Sequence, residues 1–266
     1  MRSAAPAFPL AASPATPSAT SFATPSGRPL PLWRADRLDR SAAQGETRPT
    51  GHVALDAELP GGGWPAGGLI ELLLPAPASG ELRLLASTLA GASRLGPLLW
   101  IAPPFVPYAP ALAALGIDTA RLVVATPARP ADAAWAAEQA LRSGTLAAVL
   151  WWENGTARAP GLPATLRRLH LAAEEGRTPL FALRPVAARG QSSPAPLRLA
   201  LGAAGPHQIA VEVFKRRGPS MAAPLMLTLA EPLLGRLPGA LPPPLLPSLS
   251  PTPHVVVRPA PERVAA

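Results

Sequence analysis

The chain has 266 residues, 48% of them hydrophobic, a mean hydropathy of +0.21 and a formal net charge of +8. That length suits one large domain or two small ones with a sizeable core, and no apolar run approaches the ~20 residues of a membrane span. Cysteine is absent, which excludes disulfides, thiolate metal sites and thiol catalysis and fits a cytoplasmic chain.

Residues 1–30 are rich in Ala, Pro, Ser and Thr and read as a disordered tail. A signal or transit peptide is the alternative, but prolines interrupt its apolar stretch. Residues 31–48 are expected to hold a short helix anchored by Trp33 and Leu38, which needs a partner surface to be stable. The globular part is expected over 49–235. It begins with TGHVALDAELPGGGWPAGG (50–68), turn-rich around a short helix, and continues into the apolar strand LIELLL (69–74). Leu82, Leu85 and Leu89 then fall at helical spacing over 81–95. The segments 97–102, 121–125, 146–152 and 178–184 read as strands. Between them, 108–115, 131–144 and 162–176 read as helices. Strands alternating with helices imply βαβ units and a mainly parallel sheet. Beyond residue 195 the pattern changes to period two without helices. This predicts an antiparallel edge of the same sheet, with Leu197, Leu199, Ile209, Val211 and Val213 inward. Residues 236–266 are proline-broken and read as a second disordered tail.

The loop after the first core strand lies where many α/β folds bind phosphate. A phosphate loop of the form G-x-x-x-x-G-K-[ST] cradles phosphate on backbone amides, reaches it with lysine and holds magnesium on the hydroxyl. The matching octet here runs from Pro75 to Leu82 and keeps only Gly80 of that pattern. Pro75 and Pro77 remove two amide donors, Leu82 cannot hold a metal, and Glu81 stands in place of the lysine. Replacing attraction by repulsion at ~4–5 Å swings roughly 6–8 kcal/mol at an effective dielectric of ~20, close to all of a micromolar affinity. No cofactor is expected.

The order of elements from Thr50 to Leu229 resembles RecA, the bacterial recombinase, which implies a RecA-like P-loop-type α/β core with a degenerate phosphate loop. By that resemblance Pro104 stands where the catalytic glutamate would be, and Trp152 where the magnesium-orienting aspartate would be. Glu153 follows, but strand alternation points it to the other face. The segment VAARGQSSPAP stands for a much shortened DNA-contacting loop. The run T-G-x-x-x-L-D-x-x-L-P-G-G-G-W-P-x-G at 50–67, with the degenerate loop and KRRGP at 215–219, resembles the ImuA family of RecA-like accessory proteins of bacterial translesion synthesis. That resemblance implies an SOS-linked, non-catalytic, cytoplasmic role beside an ImuB-type adapter and an error-prone DNA polymerase of the alpha, replicative type, with RecA itself as a further candidate partner. SulA-type inhibitors, which are similar to RecA-like domains and act on FtsZ, are the alternative.

Several residues admit two readings. Gly61–Pro65 is read as a tight turn with Trp64 capping the sheet, against a partner-binding loop. Trp152 is read as filling the vacated cleft, against an exposed partner anchor. Lys215, Arg216 and Arg217 form either a solvated hairpin end or a contact for DNA backbone or an acidic partner. The high basic charge, almost all arginine in an Ala/Pro/Gly/Leu-rich chain, also reads as coding bias, so direct DNA contact is expected to be weak or indirect. Trp33 is a further candidate contact for a neighbouring subunit. The four histidines have no metal-ligand spacing, and no catalytic or metal residue is expected.

Overall fold

The computed structural model describes residues 46–153, 161–205, 207–219 and 221–229. Trp33, both expected tails and nearly all of the expected 31–48 helix lie outside the described residues. The last residues of that segment, Thr47–Arg48 (β1), form a two-residue strand rather than helix, antiparallel to Trp64–Pro65 (β2).

The central strand is β3 (Gly68–Leu74), buried at every position. After it come the helices α2 (Glu81–Leu84) and α3 (Ala86–Leu95), then β4 (Leu98–Ile101), α4 (Ala109–Ala114) and β5 (Leu122–Ala125). The chain continues through α5 (Pro130–Arg142), β6 (Ala148–Trp152), α6 (Leu162–Glu175) and β7 (Pro179–Pro185). It ends in β8 (Leu197–Ala203), β9 (Gln208–Lys215) and β10 (Leu225–Thr228). A short helix, α1 (Val53–Glu58), precedes β2. The expected single helix over 81–95 is two helices, broken at Leu85, whose ψ of −4° departs from helical geometry.

Among the described residues the main sheet has eight strands in the order β10-β9-β8-β3-β7-β6-β4-β5. From β8 to β5 every neighbouring pair is parallel, while β8/β9 and β9/β10 are antiparallel. The fold is therefore α/β with a mostly parallel mixed sheet. The antiparallel edge expected after residue 195 begins one strand later, at β9: β8 runs parallel to β3 although no α-helix covers its crossover, and only the hairpin-linked β9 and β10 reverse direction.

Strand alternation builds two cores. On one face Ile70, Leu72 and Leu74 meet Phe181, Leu183, Leu150 and Trp152, together with Leu84, Leu85 and Leu89 from α2 and α3. Leu197, Leu199, Ile209, Val211 and Val213 join this core, the face expected for them. On the opposite face Leu69, Val149, Trp151 and Leu180 pack under α5 and α6. Trp64 is buried, meets Phe181 edge-on at 5.6 Å and donates its indole N–H to Thr88 Oγ1 at 3.0 Å. The glycines before it allow this close return: a Cβ on Gly63 would lie 2.3 Å from the Arg48 carbonyl oxygen. The Gly61–Pro65 turn thus has a packing role.

Candidate functional site

The chain leaves β3 and β4 onto one face of the sheet and leaves β6 and β7 onto the other. The β3/β7 boundary is therefore a switch point, and ligands in such folds bind outside the carboxyl ends of the strands there. A cavity of about 250 Å³ lies at that place, lined by Leu74, Pro75, Ala76, Pro77, Trp152, Glu153, Leu183, Arg184 and Pro185.

The loop from Pro75 to Gly80 is closed on itself. Ser79 Oγ accepts from the Ala76 N–H at 3.3 Å and donates to the Ala76 carbonyl. Glu81 is turned inward, 3% exposed, and its Oε1 accepts from the Ala78 N–H at 3.1 Å. Its Oε2 is buried with no hydrogen-bond partner among the described residues. Pro75 and Pro77 carry no N–H, and two of the remaining loop N–H groups, those of Ala76 and Ala78, are taken internally. Ala78 sits at φ +61°, a left-handed conformation costing a non-glycine residue roughly 1–2 kcal/mol. Gly80 at φ +97° starts α2 and lies under Leu229 and Ile209; a Cβ there would be 3.2 Å from Leu229 Cδ1. Leu82 packs against the apolar core. The sequence puts an acidic residue, Glu81, directly after Gly80 in the loop that follows the central strand. The structure adds that its carboxyl group is seated in the loop and bonded to it.

Trp152 is one of the cavity's lining residues. It is buried and meets Trp100 edge-on at 5.5 Å. Neither indole N–H has a hydrogen-bond partner among the described residues. Pro104 is half-buried in the loop after β4 and is not among the residues lining the cavity. Glu153, expected on the other face from Trp152, also lines the cavity and lies 3.7 Å from Arg184.

A cluster missed in the sequence lies beside this site. Glu71, at the middle of β3, is fully buried. Its Oε1 accepts from Arg184 Nη1 at 3.1 Å and from Ser193 Oγ at 2.5 Å, and its Oε2 from Arg198 Nε at 2.7 Å. Arg198 reaches on to the carbonyls of Ala188, Arg189 and Gln191, and Arg184 donates to Gln191 Oε1 at 2.9 Å. The loop after β7, expected as a shortened DNA-contacting loop, is thereby fastened over buried charge. The signal was available: Glu71, Arg184 and Arg198 are each a lone charge in an apolar strand, and buried charges need partners.

The basic run does not approach the cavity. Because β9 runs antiparallel, Lys215–Arg217 lie at the opposite, amino edge of the parallel strands. Lys215 Nζ donates to the Ser193 carbonyl at 2.7 Å, and burial, then the neighbouring Arg198, lowers its pKa, opposed by Glu71. Arg216 donates to the Glu58 carboxylate at 2.6 Å, to the Glu58 carbonyl and to the Pro219 carbonyl. Only Arg217 of the three is directed to an open groove, of about 370 Å³, with Glu46, Glu174 and Arg177 on its walls. Two of the three candidate contacts are thus engaged within the chain.

Among the described residues no group of three His, Asp or Glu side chains could hold a metal ion, and no helix is long and apolar enough to cross a membrane. No protein-family model and no curated protein matches the sequence. Among solved structures the chain is similar to SulA from Pseudomonas aeruginosa, at 26% identity and a TM-score of 0.36, over 44% of this chain and 97% of that one. At that TM-score the likeness carries no functional argument.

Proposed function

We propose that this chain is a non-catalytic, RecA-like accessory protein that helps assemble a mutagenic translesion complex, with an ImuB-type adapter and an error-prone polymerase as its partners. The observation that carries the non-catalytic part is the Glu81 carboxylate seated in its own loop. A nucleotide would have to displace the buried Glu81 side chain from the Ala78 amide, then meet Leu82 and Trp152 where metal-binding groups belong. The assignment to translesion synthesis rests on the resemblance of 50–67 and 215–219 to the ImuA family. A phosphate-loop-like turn after the central strand of a mostly parallel sheet is consistent with it.

On this reading the sheet is a rigid platform whose edges make contacts, and no residue performs chemistry. Calorimetric titration with magnesium and ATP is expected to give no binding heat at concentrations where working ATPases saturate. Affinity capture of the full chain from damage-treated cells is expected to recover polymerase components. Tight magnesium-dependent ATP binding followed by phosphate release would overturn the non-catalytic reading. Recovery of division proteins without polymerase components would overturn the translesion assignment.

A further inference from the structure

The loop after β4 displays apolar side chains to solvent at the same edge as the cavity. Phe105 is 63% exposed, Val106 93% and Tyr108 63%. Pro103, Pro104 and Pro107 interrupt this stretch, so few backbone conformations are open to it and the aromatic rings are displayed at low entropic cost. From Leu95 to Ile117 the sequence holds no Asp, Glu, Lys, Arg or His, so this stretch of the chain itself offers a partner apolar contact rather than charge.

The chain itself supplies a segment of matching chemistry. β10 runs parallel to β3, so the chain leaves the described structure at Leu229, at this same edge. It leaves beside the 75–80 loop: Arg83 donates to the Leu229 carbonyl at 3.2 Å, and the Leu229 side chain lies against Gly80. Twelve residues on, 241–247 reads Leu-Pro-Pro-Pro-Leu-Leu-Pro, and no charged residue or histidine occurs between Arg236 and His254. Proline runs of this kind favour polyproline II and dock on aromatic-lined surfaces. The reach suffices. Six strand spacings separate β10 from β4, about 29 Å at ~4.8 Å each, and twelve extended residues span about 40 Å.

We infer that residues 241–247 dock on the Phe105–Tyr108 loop of the same chain. This binding surface is independent of the proposed role in translesion synthesis.

The absence of native cysteine gives a direct test in the full chain. Ala109→Cys and Ser248→Cys place one thiol beside each contact, and a short bis-maleimide is expected to join them within one molecule. Phe105→Ser with Tyr108→Ser, both at exposed positions, is expected to slow the intramolecular link at least about tenfold, the scale of losing aromatic anchors. Pro243→Gly with Pro244→Gly is expected to slow it as well. Linked dimers would assign the patch to a second copy. Either linked dimers, an intramolecular rate indifferent to Phe105 and Tyr108, or no link at all overturns the inference.

Discussion

Two loops of this molecule are each held by one buried glutamate, and the two arrangements differ. The loop after β3 is held by Glu81, which makes a single bond to the Ala78 amide and leaves Oε2 without a hydrogen-bond partner. The loop after β7 is held by Glu71, both of whose oxygens are engaged, by two arginines and a serine. A fully paired buried charge locks the register of three strands. A half-satisfied one closes a turn at lower stability. The lesson is that the number and charge of its partners, more than burial alone, decide how much a buried carboxylate holds.

Glu71→Leu tests the strong side of that comparison and has the largest expected effect. It leaves Arg184 and Arg198 without their shared counter-ion, and urea denaturation is expected to show a loss of about 3–5 kcal/mol. Ser193→Ala removes one bond to the same carboxylate and is expected to cost roughly 1.5–3 kcal/mol, with protection from hydrogen exchange lost over 186–196. Glu81→Ala is expected to cost about 1 kcal/mol or less, since losing the Ala78 bond is offset by removing an unsatisfied buried oxygen. Equal losses for Glu71→Leu and Glu81→Ala would erase the distinction between the two loops.

The smallest expected effect is at the exposed pair beside the second loop. Arg189 donates to Glu212 at 2.7 Å and holds its carboxyl below the usual glutamate range. A depressed carboxyl pKa stabilises the fold above the ordinary glutamate value, and this contribution is lost as pH falls through the folded value. With both side chains more than a third exposed, Glu212→Gln is expected to cost under about 1 kcal/mol after screening, and less at high salt. A salt-independent loss would mean that the pair belongs to the buried cluster.

Much of the fold was legible because it rests on periodicity. The alternation of helix and strand between 69 and 184 gave the parallel sheet, and period two after 195 gave the inward residues and the antiparallel pairs β8/β9 and β9/β10, but not that β8 itself runs parallel to β3. The break at Leu85 was not legible, since apolar spacing continues through it. Nor was β1, whose two residues are a strand only because Trp64–Pro65 returns beside them. The candidate site divides in the same way. Glu81 and Trp152 could be singled out from their positions, but whether that carboxylate points outward or into its own loop is a matter of three-dimensional geometry. Lys215 and Arg216 looked like surface charge from their neighbours in the chain. Their acceptors, the Ser193 carbonyl and Glu58, are 22 and 158 residues away.

By itself the sequence determined where most of the strands and helices between 69 and 229 lie, which faces are apolar, and that the loop after the first core strand lacks the lysine and hydroxyl of a G-x-x-x-x-G-K-[ST] motif. It could do so because these properties depend on side chains a few positions apart. Only the tertiary structure decided which charges meet: Glu71 with Arg184 and Arg198, Arg216 with Glu58, and Glu81 with its own loop. Local spacing sets the hydrophobic pattern. Burying a charge requires a partner brought close by the fold, and parallel strands joined by long crossovers place such partners far apart in the chain.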